Sequence, residues 1–196
     1  HGSTRVKMHD GSYKNIENIA KGDLVASLTN VYNSKSPIKP AKVLCVVQTN
    51  TNGYCDLVDF NGLKVTPWHP VIYKSIWVFP GSLFDTKNEK CDSVYTLVLD
   101  SNHTINVNNI WAITLGHNYL TNIIAHPYYG TEKVIEDLKC IKNWNNGRVI
   151  IKSDWIIRDP ISNNVVAIKN PNSSKKEKNF ESLDNLKFQN NSLSVC

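Results

Sequence analysis

The most distinctive stretch of this sequence is Val65-Thr66-Pro67-Trp68-His69-Pro70-Val71-Ile72. It follows Asn61-Gly62, a dipeptide typical of a two-residue β-hairpin turn. A turn at Pro67 lets Thr66 and His69 converge on one point. A hydroxyl can donate to a carbonyl oxygen and an imidazole can protonate a departing amine, so the pair can loosen one peptide bond. Without its context, Thr-x-x-His is common and more typical of a strand end followed by a partly buried histidine.

Short strand patterns lie on both sides of this stretch. One helical turn is expected near residues 16–20, where Gly22 ends it. Strands this short and this regularly spaced indicate an all-β domain. The predicted strands are Thr4–Met8, Asp23–Leu28, Ala41–Thr49, Asp56–Phe60, Leu63–Thr66, Ile76–Phe79 and Val94–Leu99.

The pattern changes after about residue 120, which predicts three parts. Residues 1–120 form the core. Residues 121–169 form an extension packed on it, with a helix around Val134–Ile141 and two strands, Arg148–Ile157 and Val165–Ile168, joined as a hairpin. Residues 170–196 are polar, have little to bury and are expected to be a flexible tail.

Composition excludes several classes of function. The 196 residues are 41% hydrophobic and 20% charged, as in a soluble globular protein, and no apolar run approaches the length that spans a bilayer. The start is not a signal peptide, so either a cytoplasmic location is expected or the sequence is an internal fragment of a longer protein. Five cysteines without a Cys-x-x-Cys pair predict neither metal nor cofactor. The net charge of +5 leaves nucleic-acid binding as a weak alternative, because no aromatic residues interleave the lysines.

Three segments, taken in order, resemble the Hint superfamily of hedgehog autoprocessing domains and inteins. Pieces near residues 77–80, 115–118 and 126–130 are similar to its Vint branch, which is found beside von Willebrand A-type domains. The resemblance implies a mainly β, compact fold of many short curved strands, with a C-terminal extension containing one helix and a β-hairpin. The three segments are residues 2–25, the Thr-x-x-His block at 65–70, and residues 94–110.

The resemblance also implies a mechanism. In this superfamily a Cys or Ser at the start of the domain attacks the preceding carbonyl, and water or another nucleophile resolves the resulting ester or thioester. By matching position, His69 would protonate or hydrogen-bond the leaving nitrogen, and Thr66 would orient it or bind the carbonyl oxygen. His103 and His117 are further catalytic candidates. The implied partner is the upstream polypeptide, with a von Willebrand A-type domain as one candidate, and the chain is expected to be a monomer.

Departures from the superfamily narrow the expected activity. The nucleophile is expected about two residues before His1, so the sequence as written is expected to be inactive. Tyr119 follows the His-Asn pair, and Thr96 stands where many inteins have Asp. Gln48 stands where hedgehog domains have an Asp thought to activate sterol. N-terminal cleavage without splicing or sterol transfer is therefore predicted; the alternative is a degenerate Hint fold that serves as a protein-binding module.

Overall fold

The computed structural model of the protein describes residues 1–120 and 123–169. This part of the chain is mainly β, with one α-helix, α1 (Glu132–Lys139). None of its helices is long and apolar enough to cross a membrane. In chain order, its strands are β1 (Arg5–Lys7), β2 (Tyr13–Asn15), β3 (Leu24–Leu28), β4 (Ile38–Asn50), β5 (Tyr54–Phe60), β6 (Leu63–Val65), β7 (Val71–Tyr73), β8 (Ile76–Val78), β9 (Thr86–Lys90), β10 (Ser93–Leu99), β11 (Thr104–Val107), β12 (Ile110–Ile113), β13 (Arg148–Lys152), β14 (Ile156–Arg158) and β15 (Val165–Ile168).

A six-stranded sheet contains both β1, near the start of the chain, and β7, the strand that follows His69. Its order is β2-β1-β11-β12-β7-β8. Val6 of β1 pairs with Val107 of β11, and Ala112 of β12 pairs with Val71 of β7. The β11–β12 hairpin therefore lies between the start of the chain and the strand that follows His69.

A second sheet is built on the long strand β4. Its first five residues pair with β3, and its second half pairs with β10 in antiparallel register. Strand β13 adds to residues 46–50 of β4 in parallel. Because β13 comes from the predicted extension, that region and the core share one hydrogen-bonded sheet.

The Asn61-Gly62 hairpin lies in a three-stranded sheet of order β6-β5-β9. Phe60 pairs with Leu63, so the loop has the two residues that the sequence predicted. Both loop residues have positive φ, 52° at Asn61 and 83° at Gly62, a conformation that Asn and Gly adopt at low cost. Strand β6 of this hairpin ends at Val65, so Thr66 is the next residue in the chain.

Two large clusters of buried side chains stabilise the fold. The first fills the space between the strands of residues 6–112. The second joins Cys45, Val47 and Val98 of the β4–β10 pair to the residues that follow 127, so the extension is packed against the core. From the extension this second cluster includes Tyr128, Val134, Ile135, Leu138, Ile141, Val149, Ile151, Val165 and Ile168.

The extension contains the predicted hairpin, but the first strand of that hairpin is shorter than the sequence predicted. The helix expected around Val134–Ile141 is present as α1, but the strand expected at Arg148–Ile157 is interrupted by a 3₁₀ turn at Ser153–Trp155. Polar Ser and Asp residues favour such turns over a continuous ladder. The first part, β13, joins β4, and only the second part, β14, pairs with β15. The tail predicted at residues 170–196 lies outside the described residues.

Candidate active site

Thr66 and His69 are the ends of a tight turn between β6 and β7. The His69 N–H donates to the Thr66 carbonyl at 3.2 Å. Pro67 occupies the second position of this four-residue turn, where its fixed φ is favourable. The sequence required a turn at Pro67 for the two side chains to converge, and the chain turns there.

Gly81 contacts the backbone of this turn. The Gly81 N–H donates to the Pro67 carbonyl at 2.8 Å. A Cβ atom placed on Gly81 would lie 2.7 Å from the Pro67 Cβ. Only a residue without a side chain allows this approach. Gly81 was not among the predicted site residues, although the Pro80-Gly81 pair is a recognisable turn signal.

The imidazole of His69 is fixed by a main-chain carbonyl. Its Nε2 lies 2.9 Å from the Ile113 oxygen at the end of β12. A carbonyl oxygen only accepts hydrogen bonds, so Nε2 carries the proton in this pair. Among residues 1–120 and 123–169, no group hydrogen-bonds Nδ1. Burial lowers the pKa of His69, opposed by the bond to Ile113. The ring is therefore mainly neutral at pH 7, with its lone pair on Nδ1.

The start of the chain lies against the strand that leads into this turn. The amino group of His1 is 3.4 Å from the carbonyl oxygen of Lys64 in β6. Its positive charge contributes to lowering the pKa of His69. Gly2 packs closely against the side chains of Glu17 and Tyr95. The first residues are thus held beside the Thr66–His69 turn.

His103 forms a hydrogen bond through its main-chain carbonyl, whereas one nitrogen of its ring has no hydrogen-bond partner among the described residues. Its carbonyl accepts the Thr114 N–H at 2.9 Å. Its φ of 51° is unusual for a residue other than glycine. The Nδ1 atom is buried and has no hydrogen-bond partner among the described residues, and burial lowers the pKa of the ring. A buried unsatisfied nitrogen in a strained turn is more typical of a functional position than of a structural one.

His117 lies in a separate contact group with Tyr119 and the extension. The two rings stack with centroids 5.2 Å apart, and the Tyr119 N–H donates to His117 Nδ1 at 3.0 Å. A Cβ atom on Gly130 would be 2.9 Å from the His117 ring, so the extension packs closely on it. Burial, followed by the charge of His103, lowers the pKa of His117 to about 4.

The structure brings the four predicted residues together as two pairs. Thr66 and His69 share a turn, whereas His103 and His117 both contact Tyr119, the His103 ring at 6.4 Å between centroids. Within the described ranges, no hydrogen bond or ring contact joins His69 to either of the other histidines. The pairs meet through one peptide group: the Ile113 carbonyl contacts His69, and the Thr114 N–H contacts His103.

Gln48 and Thr96 are the residues that bear on sterol transfer and on splicing. The amide nitrogen of Gln48 donates to Asn50 at 3.1 Å and to Ser93 at 3.0 Å. Thr96 lies in β10, opposite Val47 of β4. Within residues 1–120 and 123–169, no group of three or more His, Cys, Asp or Glu side chains is placed to hold a metal ion.

One protein family and several solved structures are similar to this chain. A family model described as Vint, a Hint-domain, matches residues 1–167. Similar solved structures include a bacterial intein-like domain from Clostridium thermocellum (24% identity, 57% of this chain and 94% of that one, TM-score 0.45). They also include a DnaB intein from Synechocystis sp. PCC 6803 (15% identity, 58% and 95%, TM-score 0.45) and the gp41-1 intein (19% identity, 58% and 95%, TM-score 0.39). No curated protein was found to match the sequence.

Proposed function

Because this chain belongs to the Vint family of Hint domains, we propose that it cleaves the bond to the polypeptide that precedes it, in a single turnover. The observation that carries the proposal is the position of the His1 amino group. It lies 3.4 Å from Lys64 O, on the strand that leads directly into Thr66 and His69. A polypeptide attached there enters beside the two side chains that can act on a peptide bond.

The proposed reaction is an acyl shift followed by hydrolysis. A thiol or hydroxyl in the preceding polypeptide adds to the neighbouring carbonyl carbon, and the carbon–nitrogen bond breaks. The nucleophile's proton moves to the departing nitrogen, and the product is a thioester or ester. Water, or another nucleophile, then releases the upstream polypeptide as an acid and restores the thiol or hydroxyl.

His69 is suited to carry the proton in both directions. Because Ile113 O holds the Nε2 proton, the Nδ1 lone pair is available to take the proton of the nucleophile. The lowered pKa of His69 favours rapid release of that proton to the departing nitrogen. The same ring therefore acts first as base and then as acid.

Thr66 is proposed as the donor to the carbonyl oxygen. That oxygen gains negative charge as the nucleophile adds, and a hydroxyl donor stabilises it. Thr66 is the first residue of the turn that ends at His69, which keeps both groups on the same short segment. Loss of one such donor typically lowers a rate by about 100-fold to 1,000-fold.

His103 and His117 are proposed to position His69 rather than to touch the substrate. The His103 carbonyl binds the N–H of the peptide group whose carbonyl holds His69. Hydrogen bonds at the two ends of one peptide group strengthen each other. His117 stacks on Tyr119, which in turn contacts the His103 ring.

Two observations support cleavage without splicing or sterol transfer. Burial raises the pKa of Tyr119, so its phenol is a poor acceptor for the acyl group that splicing would pass on after Asn118. The Gln48 amide is neutral, cannot act as a base and is engaged by Asn50 and Ser93. We therefore propose that release of the upstream polypeptide is the outcome.

A reporter fusion tests the proposal. The reporter is joined through the parent protein's preceding residues to residues 1–196, and release is followed on gels and by mass spectrometry, with and without dithiothreitol. His69→Ala and Thr66→Ala should each lower the rate by about 100-fold or more. The matched control is His9→Ala, because His9 is exposed in the turn after β1.

The outcomes separate the proposal from its alternative. Residues 1–196 alone should be inert, whereas the extended fusion should release the reporter. Absence of release in both lanes, with or without the thiol, would overturn the proposal. If the fusion is inert and Thr66→Ala and His69→Ala change no other measurable property, the protein-binding module is the better description.

A further inference from the structure

Trp68 is an exposed aromatic residue within the proposed catalytic turn. It is 66% exposed, although it lies between Thr66 and His69. Its ring contacts Phe79 edge-to-face, with centroids 5.7 Å apart and planes at 74°. Phe79 is half-buried, so Trp68 is the exposed member of the pair. A large exposed aromatic side chain packed on a second ring is more typical of a binding surface than of an isolated surface residue. We call this pair the aromatic shelf.

Backbone hydrogen bonds hold the chain at both residues of the aromatic shelf. Trp68 is the third residue of the turn closed by the His69 N–H to Thr66 O bond. Phe79 immediately precedes the 3₁₀ turn Pro80–Ser82, whose Gly81 holds Pro67. Since these backbone contacts tie both aromatic residues to the same turn, little ordering is needed when a ligand binds.

The placement of the chain start identifies the occupant. His1 N contacts Lys64 O, four residues before Trp68 in the sequence. An extended chain advances about 3.3–3.6 Å per residue, so three residues upstream of His1 reach about 10 Å from that point. A chain that continues upstream of His1 towards the turn of Thr66 and His69 can therefore place the residues around the bond to be broken against Trp68.

We propose that the aromatic shelf of Trp68 and Phe79 binds an apolar side chain of the polypeptide being released, next to the bond that breaks. The inference rests on the proposed function and adds a substrate preference to it. An apolar upstream residue gains contact with the two rings and holds the carbonyl near Thr66 and His69. A small polar residue gains no such contact, so its bond is cleaved more slowly.

The test varies the residue immediately upstream of the bond in the reporter fusion. With Leu there, cleavage should be about tenfold faster than with Ser, a ratio equivalent to about 1.4 kcal/mol. Trp68→Ala should reduce the Leu-to-Ser ratio to about one, and Trp68→Phe, which keeps a ring, should retain most of it. The control is Ile161→Ala, since Ile161 is 95% exposed in the loop between β14 and β15.

A binding measurement keeps this inference separate from the proposed function. Upstream peptides ending in Leu or Ser are titrated against residues 1–196, and the indole N–H signal of Trp68 is followed by NMR, assigned by its absence from Trp68→Phe. A shift with the Leu peptide and a smaller one with the Ser peptide supports the shelf even if no fusion is cleaved. A wild-type Leu-to-Ser rate ratio near one, a ratio unchanged by Trp68→Ala, or equal response to both peptides would overturn it.

Discussion

Gly81→Ala tests how the Thr66–His69 turn is held in place. An added Cβ would lie 2.7 Å from the Pro67 Cβ and 3.2 Å from its carbonyl oxygen. Carbon atoms that are not bonded prefer a separation of about 3.5–4.0 Å, so Pro67 must retreat by about 1 Å. Since Pro67 lies inside the turn, Thr66 and His69 move with it.

Two opposing effects act on stability. Replacing Gly by Ala restricts the unfolded chain and by itself stabilises by about 0.4–1 kcal/mol. Overpacking against Pro67 costs about 1–3 kcal/mol. We therefore expect a net loss near 1 kcal/mol, which leaves the protein folded. The effect on rate is larger, because a misplacement of about 1 Å in an active site can cost about 100-fold.

The assay combines the reporter fusion with urea unfolding of the same variants. Gly81→Ala should cleave about 100-fold more slowly while its unfolding midpoint falls only slightly. Ser82→Ala is the matched control, because Ser82 is exposed in the same 3₁₀ turn. Cleavage by Gly81→Ala within threefold of the unsubstituted rate would show that the Pro67 contact does not position the turn.

Three further predictions concern stability. The pKa of His117 is lowered from 6.5 to about 4, so between these pH values the unfolded chain binds a proton that the folded chain does not. The stability that neutral His117 contributes is therefore present above pH 6.5 and falls by about 3 kcal/mol as the pH is lowered to 4. Urea titrations at several pH values should show this loss, and His117→Gln should remove it. Tyr128→Phe removes a 2.7 Å hydrogen bond to Asp137 and should lower the free energy of unfolding by about 1.5–3 kcal/mol, whereas an unchanged urea midpoint would contradict it. Arg148→Met removes the hydrogen bonds to the carbonyls of Glu17 and Ile19 and should cost about 1–2 kcal/mol, with faster amide exchange in β13 as the signature; unchanged exchange would count against it.

Local features could be predicted where one residue type restricts the backbone. Asn61-Gly62 tolerates positive φ at two successive positions, so it predicts a two-residue hairpin, and the structure has one. Apolar spacing in residues 134–141 predicts a helix face, and Val134, Ile135 and Leu138 are buried in α1. In both cases the information lies within a few neighbouring residues.

Strand partners could not be predicted in the same way. The run Arg148–Ile157 shows that the segment is extended, but alternation does not reveal which strand it joins. Its first half pairs in parallel with β4, about 100 residues earlier in the chain. That choice depends on the packing of the extension against Cys45, Val47 and Val98, which is a property of the whole fold.

The candidate site depends on backbone carbonyls more than on side chains. Lys64 O receives the start of the chain, Pro67 O receives Gly81, and Ile113 O fixes His69. Every residue has a carbonyl, so these contacts have no signature in the sequence; they arise only when strand registers bring the right peptide groups together. This explains why Thr66 and His69 form a weak motif by themselves. It also explains why the order and spacing of the flanking strands, rather than further polar residues, carried the resemblance to the Hint superfamily.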